Sequence, residues 1–254
     1  MPHIKVATLN LRNRSDRWQD RRQLIVNELT ELQPHLLSLQ EIFLPIGQGK
    51  WLRNQLNSRL SGSSKEPYQL VQKRRRHLIQ GYYEGLGILS RLPIISRDTV
   101  SLGYGGRIAL RTTVEMAGRE PLDFVAVHLH HIANEKEARE EQVLRLVSWL
   151  KDRNPSPLQI VAGDFNEVPN GPAIRLMRQS FRSVFIEYRG SDPIATFPTV
   201  LRADIDWAGC LDYIFISTAV PTVKEAALFC NKPSSLDPAL YPSDHVGLIA
   251  KLEV

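Results

Sequence analysis

Leu158-Gln159-Ile160-Val161-Ala162-Gly163-Asp164-Phe165-Asn166 is the stretch from which the fold is read. Its first five residues form an apolar run of the length of one buried strand, and the run ends in polar residues. A carboxylate and a carboxamide two residues apart, thrown off a strand end, supply the hard oxygen ligands and hydrogen-bonding groups of a magnesium-assisted phosphate site. Alone, Gly163-Asp164-Phe165-Asn166 fits an ordinary turn equally well, because Gly, Asp and Asn are turn residues.

Repetition separates the two readings. Polar residues of catalytic type recur at the ends of apolar runs: Asn10 after residues 4–9, Glu41 after 36–40, His128 after 124–127, Asp212 within 211–216, and Asp244-His245 before 246–250. Outward from these, the periodicity predicts a strand ending near Leu9 and a polar loop over 12–16. A helix is expected over 17–32, marked by Trp18, Ile25, Leu29 and Leu32 and stopped by Pro34. The strand into Glu41 completes a strand-helix-strand unit, so Asn10 and Glu41 meet at one rim if the two strands are neighbours.

Residues 44–65 read as an irregular or partly helical insertion, and 68–72 as a short strand. The basic run Lys73-Arg74-Arg75-Arg76-His77 fits a solvated loop better than a phosphate-contacting patch, since like charges prefer water to each other. Strands are expected at 85–90, 107–114 and 122–129, with Ala117-Gly118-Arg119 as a hairpin turn and the alternation in 107–114 implying one covered face. The clearest helix is 134–151, with 135–141 as its polar face and Pro155 just past its end. Gly171-Pro172 opens a short helix to about Gln179, and strands at 211–217 and 246–252 close the chain.

With 254 residues, 43% apolar and 23% charged, the chain is a folded protein with room for a sizeable core, and no linker forces a division into domains. Its net charge of +5 suits an anionic substrate without requiring one. Two cysteines, Cys210 and Cys230, exclude a disulfide framework and are expected to be reduced. The N-terminus shows no apolar signal core and no run reaches membrane-spanning length, so the expected location is the cytoplasm.

Glu41 is a candidate magnesium ligand, since one or two carboxylates plus a substrate phosphate satisfy that ion. His128-Leu129-His130-His131 invites a zinc reading but lacks further ligands at comparable spacing. A catalytic or phosphate-contacting His128, with His130 and His131 in a loop, is more economical. Asp212 and His245 form a candidate pair in which the carboxylate fixes the imidazole tautomer, with Asp244 as a second carboxylate for a metal. Gly47-Gln48-Gly49-Lys50 lacks the spacing of a phosphate-binding loop.

Taken in order, Thr8-Leu9-Asn10, Leu39-Gln40-Glu41, Gly85 to Arg91, Val127-His128-Leu129, Gly163 to Asn166, Leu211 to Ile214 and Ser243-Asp244-His245 resemble the endonuclease/exonuclease/phosphatase family across essentially the whole chain. The resemblance implies an α+β fold, a four-layer α/β/β/α sandwich of two packed mixed sheets flanked by helices, as one catalytic domain over 1–254. It implies Glu41 as the principal metal carboxylate, with Asn10 nearby and Asp244 in an outer or second-ion position. Asp164 and Asn166 would position water and phosphate, and Asp212 would orient His245. His128 would be a second catalytic histidine, and Glu84 the acidic partner of the deoxyribonuclease-like members. Val127 and Leu9 depart from the common Thr and Phe or Trp of the family.

The function so implied is a Mg2+- or Mn2+-dependent hydrolase cleaving a phosphoester by direct water attack. The expected protein is a monomeric phosphodiesterase or nuclease, acting on an anionic phosphoester such as nucleic acid. A phosphatase for inositol phosphates or other small substrates is the alternative, and a non-catalytic anion- or partner-binding module stands as a different class.

Overall fold

The computed structural model describes residues 3–75, 83–152 and 156–254. In chain order it runs β1 (His3–Asn10), α1 (Trp18–Leu32), β2 (Leu36–Phe43), α2 (Gln48–Leu60), β3 (Gln69–Arg74), β4 (Glu84–Ser90), β5 (Ile94–Ser101), β6 (Ile108–Val114) and β7 (Leu122–His128). It continues with α3 (Lys136–Asp152), β8 (Leu158–Asp164), α4 (Pro172–Arg178), β9 (Arg182–Ser183), α5 (Val184–Arg189), β10 (Asp212–Ile216), β11 (Thr222–Phe229) and β12 (Gly247–Glu253). Among the described residues these strands make two six-stranded sheets, ordered β11-β12-β1-β2-β4-β3 and β5-β6-β7-β8-β10-β9. Each sheet is mixed. β1 lies parallel to β2 and β7 parallel to β8, and their other partners are antiparallel.

Successive strand residues point to opposite faces, and here both faces are covered. Val6, Leu36, Ile88, Phe124, Ile160 and Ile214 fill the space between the sheets. Their neighbours Ala7 and Leu37 pack under α1 and α2 with Ile25, Leu29 and Leu52, while Val125 and Val161 pack under α3 and α4 with Val143, Leu146 and Ile174. The result is helix, sheet, sheet, helix. Continuous apolar runs such as Ile160-Val161-Ala162 are what a strand buried on both sides requires.

Several expectations are corrected. Within residues 44–65 the partly helical alternative holds and the irregular one does not: α2 is a regular helix whose Leu52, Leu56 and Leu60 recur every fourth residue on its buried face, a stripe that Gly47, Gly49 and the serines after it conceal. β5 and β11 went unread because both are edge strands with mixed composition. β6 is covered on both faces rather than one: Arg111 is buried beneath the Trp149 ring of α3 at 4.6 Å and beside Asp123. Arg76, His77 and Pro155 lie outside the described residues. No helix among the described residues is long and apolar enough to cross a membrane.

The polar face assigned to 135–141 contains one wholly buried residue, Arg139. Its Nε donates to Glu167 Oε2 at 3.0 Å, and its Nη atoms donate to the carbonyls of His130, Ile132 and Ala133. Arg139 thereby ties together the segments that follow β7 and β8. Breaking a buried pair strands the remaining charge, so Arg139→Met is expected to cost about 3–5 kcal/mol in urea-unfolding experiments. A loss under 1 kcal/mol would contradict this account of the pair.

Candidate active site

Strand register sets the centre of the site. Asp164 at the end of β8 is paired with His128 at the end of β7 and with Asp212 at the start of β10. The parallel β7–β8 contact is tight at residue 163, where a Cβ would lie 2.0 Å from the Val127 carbonyl oxygen, so only glycine fits before Asp164. From the other sheet, Asn10 at the end of β1 donates through Nδ2 to Asp164 Oδ2 at 3.1 Å and to Glu41 Oε1 at 3.3 Å. Asn10 and Glu41 therefore share one rim, as parallel pairing of β1 and β2 dictates.

Glu41 is turned into the site by an irregularity between Leu39 and Ile42 in the β2–β4 ladder, where its φ is 52°. Asn166 also has left-handed backbone, at φ 50°; its N–H donates to Asp164 Oδ1 and its Nδ2 to the Leu129 carbonyl. Non-glycine residues in this region carry strain that marks places where a side chain must be aimed. Beneath them lies a buried polar floor. Thr8 Oγ1 donates to Gln40 Oε1, Gln40 Nε2 to Ser38 Oγ, and Ser38 Oγ crosses to the Ala162 carbonyl of the second sheet.

His245 Nδ1 donates to Asp212 Oδ2 at 2.9 Å, its Nε2 is 3.8 Å from Asp164 Oδ2, and its ring leans on Phe197 with centroids 4.7 Å apart. Asp212 Oδ2 also accepts the Thr196 hydroxyl at 2.7 Å, and Thr196 Oγ1 in turn accepts the N–H of Leu211 and Asp212. Burial alone would lower the imidazole's pKa; the carboxylates of Asp212 and Asp164 outweigh it and raise it to about 10. Asp164 is raised to about 7, by burial first and Asp212 second, against the opposing pull of His245. His128, with Nε2 3.5 Å from Asp164 Oδ2, is held well below the usual histidine range by burial and by Arg107 and Arg75, and stays neutral.

A second set of carboxylates gathers around Glu41. Asn13 Nδ2 bridges Glu41 Oε2 at 3.3 Å and Glu84 Oε1 at 2.8 Å, while Arg12 Nε sits 3.2 Å from Asp244 Oδ2. Glu41 is pushed up by burial, then by the negative charges of Glu84 and Asp244. Arg12, Asn13, Glu41, Glu84, His128, Asp164, Asn166, Asp244 and His245 line one cleft of about 320 Å³, together with Arg75, Arg107, His131, Phe197 and Trp207.

The sequence-derived candidates Asn10, Glu41, Glu84, His128, Asp164, Asn166, Asp212, Asp244 and His245 are thus at one end of the sandwich. Arg75, read as part of a solvated run, instead borders the cleft with its guanidinium on the Gly105 carbonyl, whereas Lys73 and Arg74 are exposed. His130 is a loop residue but a buried one, 2.5 Å from Glu135, and His131 faces Arg107. Arg12, Asn13, Thr196 and Arg107 were not anticipated. Arg12, Asn13 and Thr196 do not sit at the end of an apolar run, Arg107 precedes β6 as an ordinary strand-flanking cation would, and only their tertiary neighbours reveal them.

The model of the Endonuclease/Exonuclease/phosphatase family matches residues 7–245, and the chain belongs to that family. Membership places it in a family whose members are generally phosphoester hydrolases. Among solved structures, an endonuclease/exonuclease/phosphatase from Bacteroides vulgatus aligns over 100% of both chains with TM-score 0.78 and 20% identity. The human Nocturnin catalytic domain, solved with a bound sulfate anion, aligns over 99% of this chain and 93% of its own, with TM-score 0.79 and 20% identity. A humanized D. rerio TDP2 aligns over 99% of both chains, with TM-score 0.78 and 17% identity. At these identities the likeness establishes the α/β/β/α fold. No curated protein matches the sequence significantly.

Proposed function

We propose that this protein is a divalent-metal-dependent phosphodiesterase of nuclease type, hydrolysing a phosphoester by direct attack of water. The observation that carries the reading is the meeting of two assemblies on Asp164: the Asp212–His245 pair from one direction and the Asn10–Glu41 pair from the other. Asp164, poised near neutrality, accepts the proton of the attacking water, with Asn166 beside it to orient the phosphate. His245, held as imidazolium by Asp212, stabilises charge gathering on the phosphoryl oxygens. Neutral His128 donates a further hydrogen bond there.

Two places fit a cation by composition. Asp164, Asp212 and His245 offer ligand atoms within 4.8 Å of one another, but there Asp212 and His245 are spent on each other and a protonated imidazole does not ligate. The Glu41 side fits a hard cation better, since Glu41, Glu84 and Asp244 repel one another. Glu41 would hold Mg2+ or Mn2+, with Asn10 adjacent, Asp244 in an outer position, and Glu84 kept by Asn13 as the acidic partner. When bound, the ion supplies Lewis-acid polarisation of the phosphoryl oxygen and charge stabilisation at the leaving oxygen.

The active form has Asp164 ionised and His245 protonated. Accordingly kcat/KM for a chromogenic phosphodiester should rise with pH through about 7 and fall through about 10. A profile that falls through 7 would exclude these roles. The substrate class is tested by turnover on single-stranded DNA, RNA, a phosphoinositide and sphingomyelin under identical Mg2+ conditions. Arg75, Arg107 and the exposed Trp207 beside the cleft support a nucleic-acid substrate, which should be preferred; preference for the phosphoinositide would replace it with a phosphatase reading. The same reading takes the chain as one domain acting as a monomer in the cytoplasm, where the two free cysteines remain reduced.

A further inference from the structure

Arg21 lies in the first turn of α1, where a cation faces the positive end of the helix, and its side chain is wholly buried. Both circumstances oppose a guanidinium. Burial brings its pKa down to about 10, which leaves it charged at neutral pH. Its compensation comes from the backbone. Nη1 donates to the carbonyls of Leu11 at 2.7 Å and Pro242 at 3.0 Å, Nη2 to those of Arg12, Asn13 and Ser15, and Nε to that of Asp16.

The 11–16 loop wrapped around this guanidinium is strained. Arg12, Asn13, Asp16 and the adjoining Arg17 have φ of 55°, 37°, 48° and 60°, left-handed values that non-glycine residues adopt at a cost. With the loop's carbonyls turned in toward Arg21, its side chains reach the site: Arg12 to Asp244, Asn13 to Glu41 and Glu84. The bond to Pro242 ties down the segment leading into Ser243-Asp244-His245, and Ser243 Oγ locks that segment to the Asn10 carbonyl at 2.6 Å.

We infer that Arg21 is a positioning residue which, through the 11–16 loop, presets the carboxylates of Glu41, Glu84 and Asp244 for a hard divalent cation. The inference rests on the reading that these carboxylates face the cation. Arg21 itself touches neither substrate nor ion. Its planar fork is what gathers so many carbonyls, so lysine, with charge but no fork, is a poor substitute.

The test compares Arg21→Lys, Arg21→Met and Asn13→Ala with Leu122→Ala, a cavity variant at the start of β7, remote from the site. Mn2+ affinity is measured by electron paramagnetic resonance on each folded protein, alongside Mg2+-dependent kcat and KM. The Arg21 variants should bind Mn2+ about 10–100-fold more weakly, with kcat recovering at high Mg2+ and KM little changed. Asn13→Ala keeps the Arg21 side chain but removes the bridge to Glu41 and Glu84 and the Asn13 Oδ1 acceptor of Ser15; it should weaken binding in the same range, so the loop's hold on the carboxylates stays testable even if the Arg21 variants fail to fold. Leu122→Ala should lower the melting temperature without altering Mn2+ affinity. Wild-type affinity in Asn13→Ala or in the folded Arg21 variants, or an equal loss in Leu122→Ala, overturns the positioning role. A wild type that binds Mn2+ but hydrolyses nothing counts against the hydrolase reading instead, and the Mn2+ comparison still decides the role of Arg21.

Discussion

Asp164→Asn is expected to lower kcat by about 10²–10⁴-fold on any accepted phosphodiester, with KM changed only a few-fold and the circular-dichroism spectrum intact. The substitution preserves shape, but its one amide oxygen cannot accept from both the Asn10 amide and the Asn166 N–H, and it removes the one carboxylate on which both halves of the site converge. Asparagine cannot take a proton from water. The effect should therefore fall on the chemical step, and the rise in activity through pH 7 should vanish with it. A variant with at least a tenth of wild-type kcat would show that another group serves as the base.

Glu41→Gln should produce a loss of comparable size by a different route. The amide keeps the side-chain volume at this left-handed position and removes the charge that a hard cation needs. Lewis-acid stabilisation contributes several kcal/mol, and each 1.36 kcal/mol is tenfold in rate, so a fall of about 10²–10³-fold in kcat/KM is expected at fixed Mg2+. Raising Mg2+ should recover part of it, which separates Glu41 from Asp164, whose variant should not respond. Wild-type cation dependence in Glu41→Gln would move the ion to the Asp164, Asp212 and His245 cluster.

Much of this site was legible in the sequence because its residues stand at strand ends, where burial stops abruptly and a polar side chain is conspicuous. Asp164 comes after a glycine that the β7–β8 contact demands, and Glu41, His128 and Asp212 each mark the edge of an apolar run. Thr196 gave no such sign, since its hydroxyl acts from a loop through a contact 16 residues away in sequence. Arg21 resembled any cation on an amphipathic helix, and nothing local records that six backbone carbonyls would close around it. The fold showed the same pattern. Strands buried on both faces announced themselves as continuous apolar runs, except β6 with its buried Arg111 and Thr112, while the edge strands β5 and β11 and the glycine-flanked α2 did not.

The central claim is tested most directly by hydrolysing bis(p-nitrophenyl) phosphate in ¹⁸O-water with Mg2+ or with excess chelator. The account predicts turnover that requires the cation, with ¹⁸O incorporated into the phosphate product. Chelator-resistant turnover, or none with either Mg2+ or Mn2+, would contradict it.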